Sequence, residues 1–268
     1  MKRLLPIILL LAAIVPRLSA QEFSEAIEDN SFLIEEAYNQ DDRIVQNIFN
    51  GYYLSDVKDM IYTCTQEWWM GGRTHQISYS IAYQTLNGRS SGLGDAMINY
   101  RYQLWDEKNW CWIAPRLSVI LPTGKSAEGF GNGVVGVQVS LPASKRWTNE
   151  FVSHLNVGAT ILPNVEGPAS GGNSVRRTLQ TYSIGLSGIY LVSENFNLMF
   201  ELLYNYSASI GESGSVEFSS GTIVSPGLRY AINLGKLQLV PGLAIPISFT
   251  STTRNLNVFA YLSFEHPF

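Results

Sequence analysis

The last fourteen residues, Asn255–Phe268, read NLNVFAYLSFEHPF, and they decide the fold class. Successive side chains of a β-strand point to opposite faces, and here one set of alternate positions is apolar while the other is largely polar. Phe259 and Tyr261 are the exceptions, because they are aromatic residues on the polar face. Alternation that ends in a carboxyl-terminal Phe is typical of bacterial outer-membrane β-barrels, whose strands face lipid on one side. The outward positions are Leu256, Val258, Ala260, Leu262, Phe264, His266 and Phe268.

The first twenty residues, Met1–Ala20, predict a secretory signal peptide. A basic start at Lys2 and Arg3 precedes an apolar run over residues 4–15, and small residues stand before a plausible cleavage site. Such a segment is too short and wrongly flanked for a stable transmembrane helix. We therefore expect an exported chain whose mature form begins near Gln21.

Charge and hydropathy exclude several classes of protein. The chain has 18 Lys and Arg against 22 Asp and Glu, and it lacks the basic cluster that nucleic-acid binding requires. Mean hydropathy is +0.03, and no mature segment is apolar over the length of a spanning helix. Cys64 and Cys111 are predicted on strands that are not neighbours, and hence as free thiols. The three histidines are scattered, so no metal or other cofactor is predicted.

Period-two alternation recurs along the mature chain. It predicts an all-β fold, an antiparallel transmembrane β-barrel of about twelve strands, with roughly ten to fourteen compatible with the pattern. Short turns alternate with longer links, several of them rich in Gly and Ser. In known barrels short periplasmic turns face longer outer loops, so we expect both termini on the periplasmic side. The longer links are residues 87–93, 123–133, 163–175 and 207–221.

Charged residues in strands of clear phase all fall on the inward side. An Arg on the lipid face near the midplane costs about 2–4 kcal/mol, so this placement supports the barrel. We expect Arg101 and Arg116 to lie diagonally across a hairpin, about 7–8 Å apart. Such groups either form a constriction that favours anions or pair with one another to fill the lumen. The candidate lumen-lining residues are Asn99, Arg101, Arg116, His154, Glu201 and Arg229.

Residues 21–42, between the signal peptide and a barrel predicted over 43–268, do not alternate. They carry eight acids and no cation. Residues 31–38 are predicted to form a short helix that partly buries an apolar cluster, namely Phe32, Leu33, Ile34 and Ala37. Two interpretations stay open. The segment is either a solvated periplasmic tail, since termini are usually mobile unless tied down, or a plug in the barrel, which the apolar cluster favours.

Two short motifs flank the strand that carries Arg101. Ser91-Gly92-Leu93-Gly94-Asp95 leads into Tyr100-Arg101-Tyr102, and Leu121-Pro122-Thr123-Gly124 ends the next strand. Their order resembles the outer-membrane family named for the meta-pathway of phenol degradation, whose members are commonly labelled transporters. The resemblance covers most of the mature chain and is sharp over residues 91–124; it implies passage of small solutes, aromatic or hydrophobic compounds among them. The same residues also suit turns alone. The motif residues are Gly92, Gly94, Asp95, Pro122, Thr123 and Gly124.

These patterns favour a channel or transporter over a structural or adhesive barrel, and both over an enzyme. His154 is the one histidine predicted mid-strand and inward, and Ser153 beside it faces the opposite way, so the pair cannot act as base and nucleophile. The expected partners are outer-membrane lipid, a small-molecule solute and the barrel-assembly machinery, which would contact the last strand at Phe268. No nucleic-acid partner is expected.

Overall fold

The computed structural model describes residues 31–235 and 237–267. It is a closed antiparallel barrel of twelve strands, which confirms the predicted fold class. The signal peptide, residues 21–30 and Phe268, with its predicted contact to the assembly machinery, lie outside the described residues. The strands are β1 (Ile44–Leu54), β2 (Asp59–Trp69), β3 (His75–Leu86), β4 (Ser90–Leu93 and Ala96–Tyr102), β5 (Trp112–Ile113 and Arg116–Leu121), β6 (Gly136–Arg146), β7 (Phe151–Ala169), β8 (Asn173–Ser193), β9 (Phe196–Ile210), β10 (Val216–Tyr230 and Ile232–Leu234), β11 (Leu237–Ala244 and Ile247–Phe249) and β12 (Arg254–Leu256 and Val258–Pro267).

Each strand pairs with the strands on either side of it, and β1 closes the barrel against β12, with Ile44 opposite Pro267. The end of the barrel at these two residues is named the terminal end below, and the other end the distal end. β5 and β11 are interrupted at Pro115 and Pro246, because proline has no N–H to donate to the ladder. Both cysteines are free, as predicted.

The outer surface of the barrel is apolar and its interior is polar. On β9, Phe200 and Leu202 are exposed while Asn197 and Glu201 are buried, which is the alternation that lipid outside and a hydrophilic lumen inside demand. Among the described residues, no helix is long and apolar enough to cross a membrane. The outward positions of β12 that the sequence predicted and the structure exposes are Leu256, Val258, Ala260 and Leu262.

Three of the four predicted links contain paired strand residues. In the link 87–93, Ser90–Leu93 is the first part of β4 and pairs with β3. Residues 163–175 continue β7 and β8, which are joined by only the three residues Ser170–Gly172. Residues 207–221 likewise extend β9 and β10, with Ile210 opposite Val216. The prediction was wrong there because side-chain alternation is needed only where the two faces meet different solvents, whereas backbone pairing is not limited to that region.

Residues 31–42, named the lumen segment below, lie inside the barrel and do not form the predicted helix at 31–38. The N–H groups of Phe32, Leu33 and Ile34 are donated to Glu201 on β9 rather than to carbonyls within the segment. A backbone must pair its buried polar groups somewhere, and here the barrel wall supplies the partners that a helix would otherwise provide.

Candidate functional site

The lumen segment crosses the barrel interior and is contacted by all twelve strands. It enters at the terminal end, where Asp41 pairs with Arg73 at 2.8 Å, and reaches mid-barrel, where Ser31 donates to Ser187 at 2.6 Å. Apolar, polar and charged side chains all take part. One contact residue from each strand, in order from β1 to β12, is Gln46, Glu67, Gln76, Arg101, Arg116, Ser144, Asn156, Ser187, Glu201, Gly227, Gly242 and Phe259.

Glu201 anchors the inner end of the segment. Its Oε1 accepts from the backbone N–H groups of Phe32 at 3.0 Å, Leu33 at 2.8 Å and Ile34 at 3.1 Å. Successive N–H groups that converge on one oxygen form an anion-binding nest. Glu201 is fully buried, so the segment supplies three hydrogen-bond donors to a carboxyl group that water does not reach.

The side chain of Phe32 packs into a recess of the barrel wall that is formed by aromatic residues and glycines. Its ring lies 5.3 Å from the ring of Phe259 and 5.2 Å from that of Tyr261. These are the two aromatic residues that break the alternation of the last strand. Gly242 on β11 is opposite Tyr261 in the ladder. At Gly227 on β10 and at Gly242, an added Cβ would come within 2.8 Å and 2.6 Å of the Phe32 ring. A glycine inside a strand often marks a site of close approach, and here it admits Phe32.

Ile34 packs against a third glycine of the wall. A Cβ added at Gly185 on β8 would lie 2.1 Å from Ile34 Cδ1, a distance no native contact allows. Ile34 is buried, and full burial of such a side chain contributes about 1.5–3 kcal/mol. The wall thus has recesses that accept the apolar side chains of the segment, and it also carries charged groups that bind the segment's acids.

Arg101 binds the middle of the segment and is 2% exposed. Its Nε donates to Asn39 Oδ1 at 2.9 Å, and its Nη1 donates to the carbonyl of Glu36 at 3.1 Å. Nη2 donates to the carbonyl of Tyr38 and, at 3.0 Å, to Gln76 Oε1 on β3. A planar guanidinium offers five donors in a fixed fork, and here most of them are taken by the lumen segment.

Arg116 and Arg101 share one acceptor, the carboxylate of Glu35. Glu35 Oε1 lies 3.1 Å from Arg116 Nη1 and 3.3 Å from Arg101 Nη1, and Ser140 Oγ donates to Glu35 Oε2 at 3.3 Å. The two arginines face each other directly in the ladder, so the predicted diagonal placement was wrong. Trp105 bridges to Ile113, so residues 106–112 connect the two bridged positions, and this connection sets the register that places the arginines opposite each other.

Glu36 is a buried acid of the lumen segment. Burial raises the pKa of Glu36 from its usual 4.5 to about 7. Arg101 beside it favours the charged form and opposes this shift, while the nearby carboxylates of Glu67 and Glu35 add to it. The docked segment therefore binds a proton more readily than a released one.

The remaining lumen candidates also lie in the interior. Asn99 is buried and donates to Ser78 Oγ at 3.0 Å, and Arg229 on β10 is buried opposite Asn197. His154 is fully buried, with its Nδ1 2.7 Å from Ser144 Oγ. That hydroxyl also accepts from the N–H of Ala37 at 2.7 Å, so the serine–histidine pair holds the segment.

The two sequence motifs meet at the distal end of the barrel. Asp95 accepts from the N–H of Gly124 at 3.2 Å and from the N–H of Asn132 at 2.7 Å. Thr123 Oγ1 donates to the carbonyl of Gly94 at 3.0 Å. Pro122 follows the last residue of β5, and Gly92 lies against the ring of buried Phe130. This arrangement fixes the loop after β5 over the lumen side of β4.

Two cavities lie on either side of the lumen segment. A distal cavity of about 330 Å³ touches residues 31–36 and is otherwise walled largely by amides and hydroxyls, such as Asn50, Gln138 and Asn205. A cavity of about 480 Å³ at the terminal end touches residues 38–41. Ala37, between these two stretches, is fully buried. The segment therefore separates the two chambers.

Two solved structures are similar to this barrel. One is the NanC porin, with a TM-score of 0.52 and 9% sequence identity over 81% of this chain and 98% of that chain. The other is the KdgM porin in complex with disordered oligogalacturonate, with a TM-score of 0.51 and 10% identity over 83% of this chain and 99% of that chain. At such identities the likeness is one of fold. No family model and no curated protein matches the sequence, so the phenol-pathway resemblance stays a prediction.

The fold and the lumen together define a class, a twelve-stranded outer-membrane β-barrel that holds a segment of its own chain inside. Sequence reasoning identified the inward charges but missed most residues that fit the segment, among them Gly185, Gly227 and Gly242. Glycines within clear strands, and aromatic residues on a polar face, were the available signals.

Proposed function

We propose that the protein is an outer-membrane channel for small solutes and that the lumen segment closes it at rest. The observation that carries this proposal is the pairing within the lumen. The wall charges Arg101, Arg116 and Glu201 bind the segment, so a separate stretch of chain, and not the wall alone, supplies partners for the charged groups of the lumen. Release of the segment would leave a hydrophilic bore.

The size of the barrel supports the same function. Eight-stranded barrels have interiors filled by side chains, and barrels of sixteen to eighteen strands enclose an open water channel. Twelve strands fall between these limits, where a channel needs a further element to close it. A segment of a dozen residues that contacts every strand meets that need.

We infer that the terminal end faces the periplasm. An even number of strands keeps the two ends of the barrel domain on one side, and exported barrels are inserted with that side inward. The lumen segment would then close the channel from the periplasmic side. Lipid would surround the apolar belt, and the last strand would contact the assembly machinery.

The solute is proposed to be small and to carry polar groups. The distal cavity of about 330 Å³ is at the lower end of the usual volume of ligand pockets. Its amide and hydroxyl walls favour solutes that form hydrogen bonds. The phenol-pathway resemblance points to aromatic compounds, and an aromatic ring with a polar substituent satisfies both indications.

Single-channel conductance of the refolded protein tests this function. The mature chain is compared with a variant that lacks residues 21–42, after both are shown to have the same β content by circular dichroism. The mature chain should be closed with brief openings, and the deletion variant should conduct continuously. If the deletion variant does not conduct, the channel is refuted. The structural barrel then becomes the better account, because the dense pairing of the segment with all twelve strands would be a permanent filling.

A further inference from the structure

The groups that bind the Glu35 carboxylate could also bind the carboxylate of a solute. Arg101 and Arg116 are directly opposite in the ladder and both donate to Glu35 Oε1, while Ser140 donates to Glu35 Oε2. Two guanidinium groups and a hydroxyl around one carboxylate are a recognition pattern for carboxylates in general. Nothing in the pattern requires that the carboxylate belong to the chain itself.

Release of the segment would leave this pattern on the wall. Arg101 would keep its bond to Gln76 Oε1 and Arg116 its bond to Gln138 Oε1, at 3.0 Å and 2.7 Å. Both arginines would lose Glu35, and the remaining donors would face the lumen. Glu67 on β2 lines the same cavity as Arg116, so the wall there holds two positive charges and one negative. A monoanion balances that net charge.

The site can also be reached before the segment leaves. Arg116 and Glu35 line the distal cavity together with Ser140, and their side chains are 22% and 19% exposed, whereas Arg101 is 2% exposed. An anion in the cavity would therefore meet Arg116 first and replace Glu35 there. Loss of the Glu35 contacts would then weaken the hold of Arg101 on the segment.

We propose that Arg116 and Arg101 form a binding site for the carboxylate group of a small solute, and that such a solute opens the channel by displacing Glu35. This proposal rests on the proposed channel function for the opening step, but the binding step stands by itself. The solute class is a small monocarboxylate, including aromatic acids of a size that the distal cavity admits.

Calorimetric titration of the refolded full-length mature chain tests the binding step, with benzoate as probe and benzamide as its uncharged counterpart of the same shape. Glu35→Gln removes the competing charge and should bind benzoate at least about tenfold more tightly than the unmodified chain. Arg116→Gln should bind it at least about tenfold more weakly, since a charged hydrogen-bond donor to the carboxylate is lost. Arg176→Gln, at an exposed arginine paired with Glu166, removes the same charge away from the lumen and should leave affinity unchanged.

Conductance of the same variants tests the opening step. Benzoate should raise the open probability of the unmodified chain, benzamide should not, and Arg116→Gln should lose the response. Equal binding of benzamide and benzoate, or equal benzoate affinity in Glu35→Gln and the unmodified chain, would overturn the proposal. Benzoate binding that follows the expected order without any current in any form, including the variant without residues 21–42, would refute the channel and retain the site.

Discussion

Gly185→Ala is expected to open the channel by displacing the lumen segment while the barrel stays folded. The added methyl group would overlap Ile34 Cδ1, which lies 2.1 Å from the ideal Cβ position, so the buried Ile34 side chain must rotate away from β8 and lose packing there. Loss of that burial weakens docking by about 2 kcal/mol, which corresponds to a roughly 30-fold rise in the ratio of open to closed channels. Alanine in place of glycine does not weaken the strand itself.

The assay is the open probability of single channels, with a second substitution as an internal test. Ile34→Ala alone should also open the channel, because it removes the same apolar contact. The double variant should open no more than Ile34→Ala alone, since the smaller side chain no longer meets the new methyl group. Gly221→Ala on β10 is the matched control, because its nearest neighbouring atom is 3.7 Å from the added Cβ. The docking geometry would be refuted if Gly185→Ala channels stayed closed. It would also be refuted if the double variant changed the ratio of open to closed channels by the product of the two single effects.

Three further outcomes follow from the structure. Because the pKa of Glu36 is raised from 4.5 to about 7 in the docked segment, docking is strongest below pH 4.5 and weakens as pH rises through 7, so the open probability should rise at least about tenfold from pH 5 to pH 8, and Glu36→Gln should reduce this rise. Asp95→Ala should free the loop after β5, with trypsin cleavage at the exposed Lys125 about tenfold faster; an unchanged rate would show that Asp95 does not hold the loop. Phe200→Arg on the lipid face should lower the free energy of unfolding by about 2–4 kcal/mol, while Asn205→Arg on the lumen wall should have a much smaller effect; equal effects would contradict the assigned faces.

The barrel could be predicted from the sequence because its strands separate two solvents. Lipid and water impose a period of two on every spanning strand, and the positions of Arg101, Arg116 and Glu201 fixed the inward face without knowledge of any contact. Where that contrast ends, as in the hairpin that joins β7 to β8, the pattern ends too, and paired strands were taken for loops.

The contents of the lumen could be predicted only in part. The apolar cluster at Phe32 and Ile34 supported the interpretation that the segment is a plug. The helix prediction was wrong because local spacing cannot show that Glu201, more than 160 residues away, accepts the segment's N–H groups. Phe259 and Tyr261 are exceptions to the alternation of the last strand. They are the residues that contact Phe32, so a departure from the pattern carried the information about the occupant.

A reversible cross-link tests most directly whether the lumen segment closes the barrel. Ser31 Oγ and Ser187 Oγ lie 2.6 Å apart, and cysteines at both positions should form a disulfide, whose S–S bond is about 2.05 Å long. The free Cys64 and Cys111 are replaced by serine, and Glu35→Gln supplies a background in which the channel opens often. The account predicts no current from the oxidised protein and frequent openings after reduction. Equal currents before and after reduction, with the cross-link verified by mass spectrometry, would contradict it.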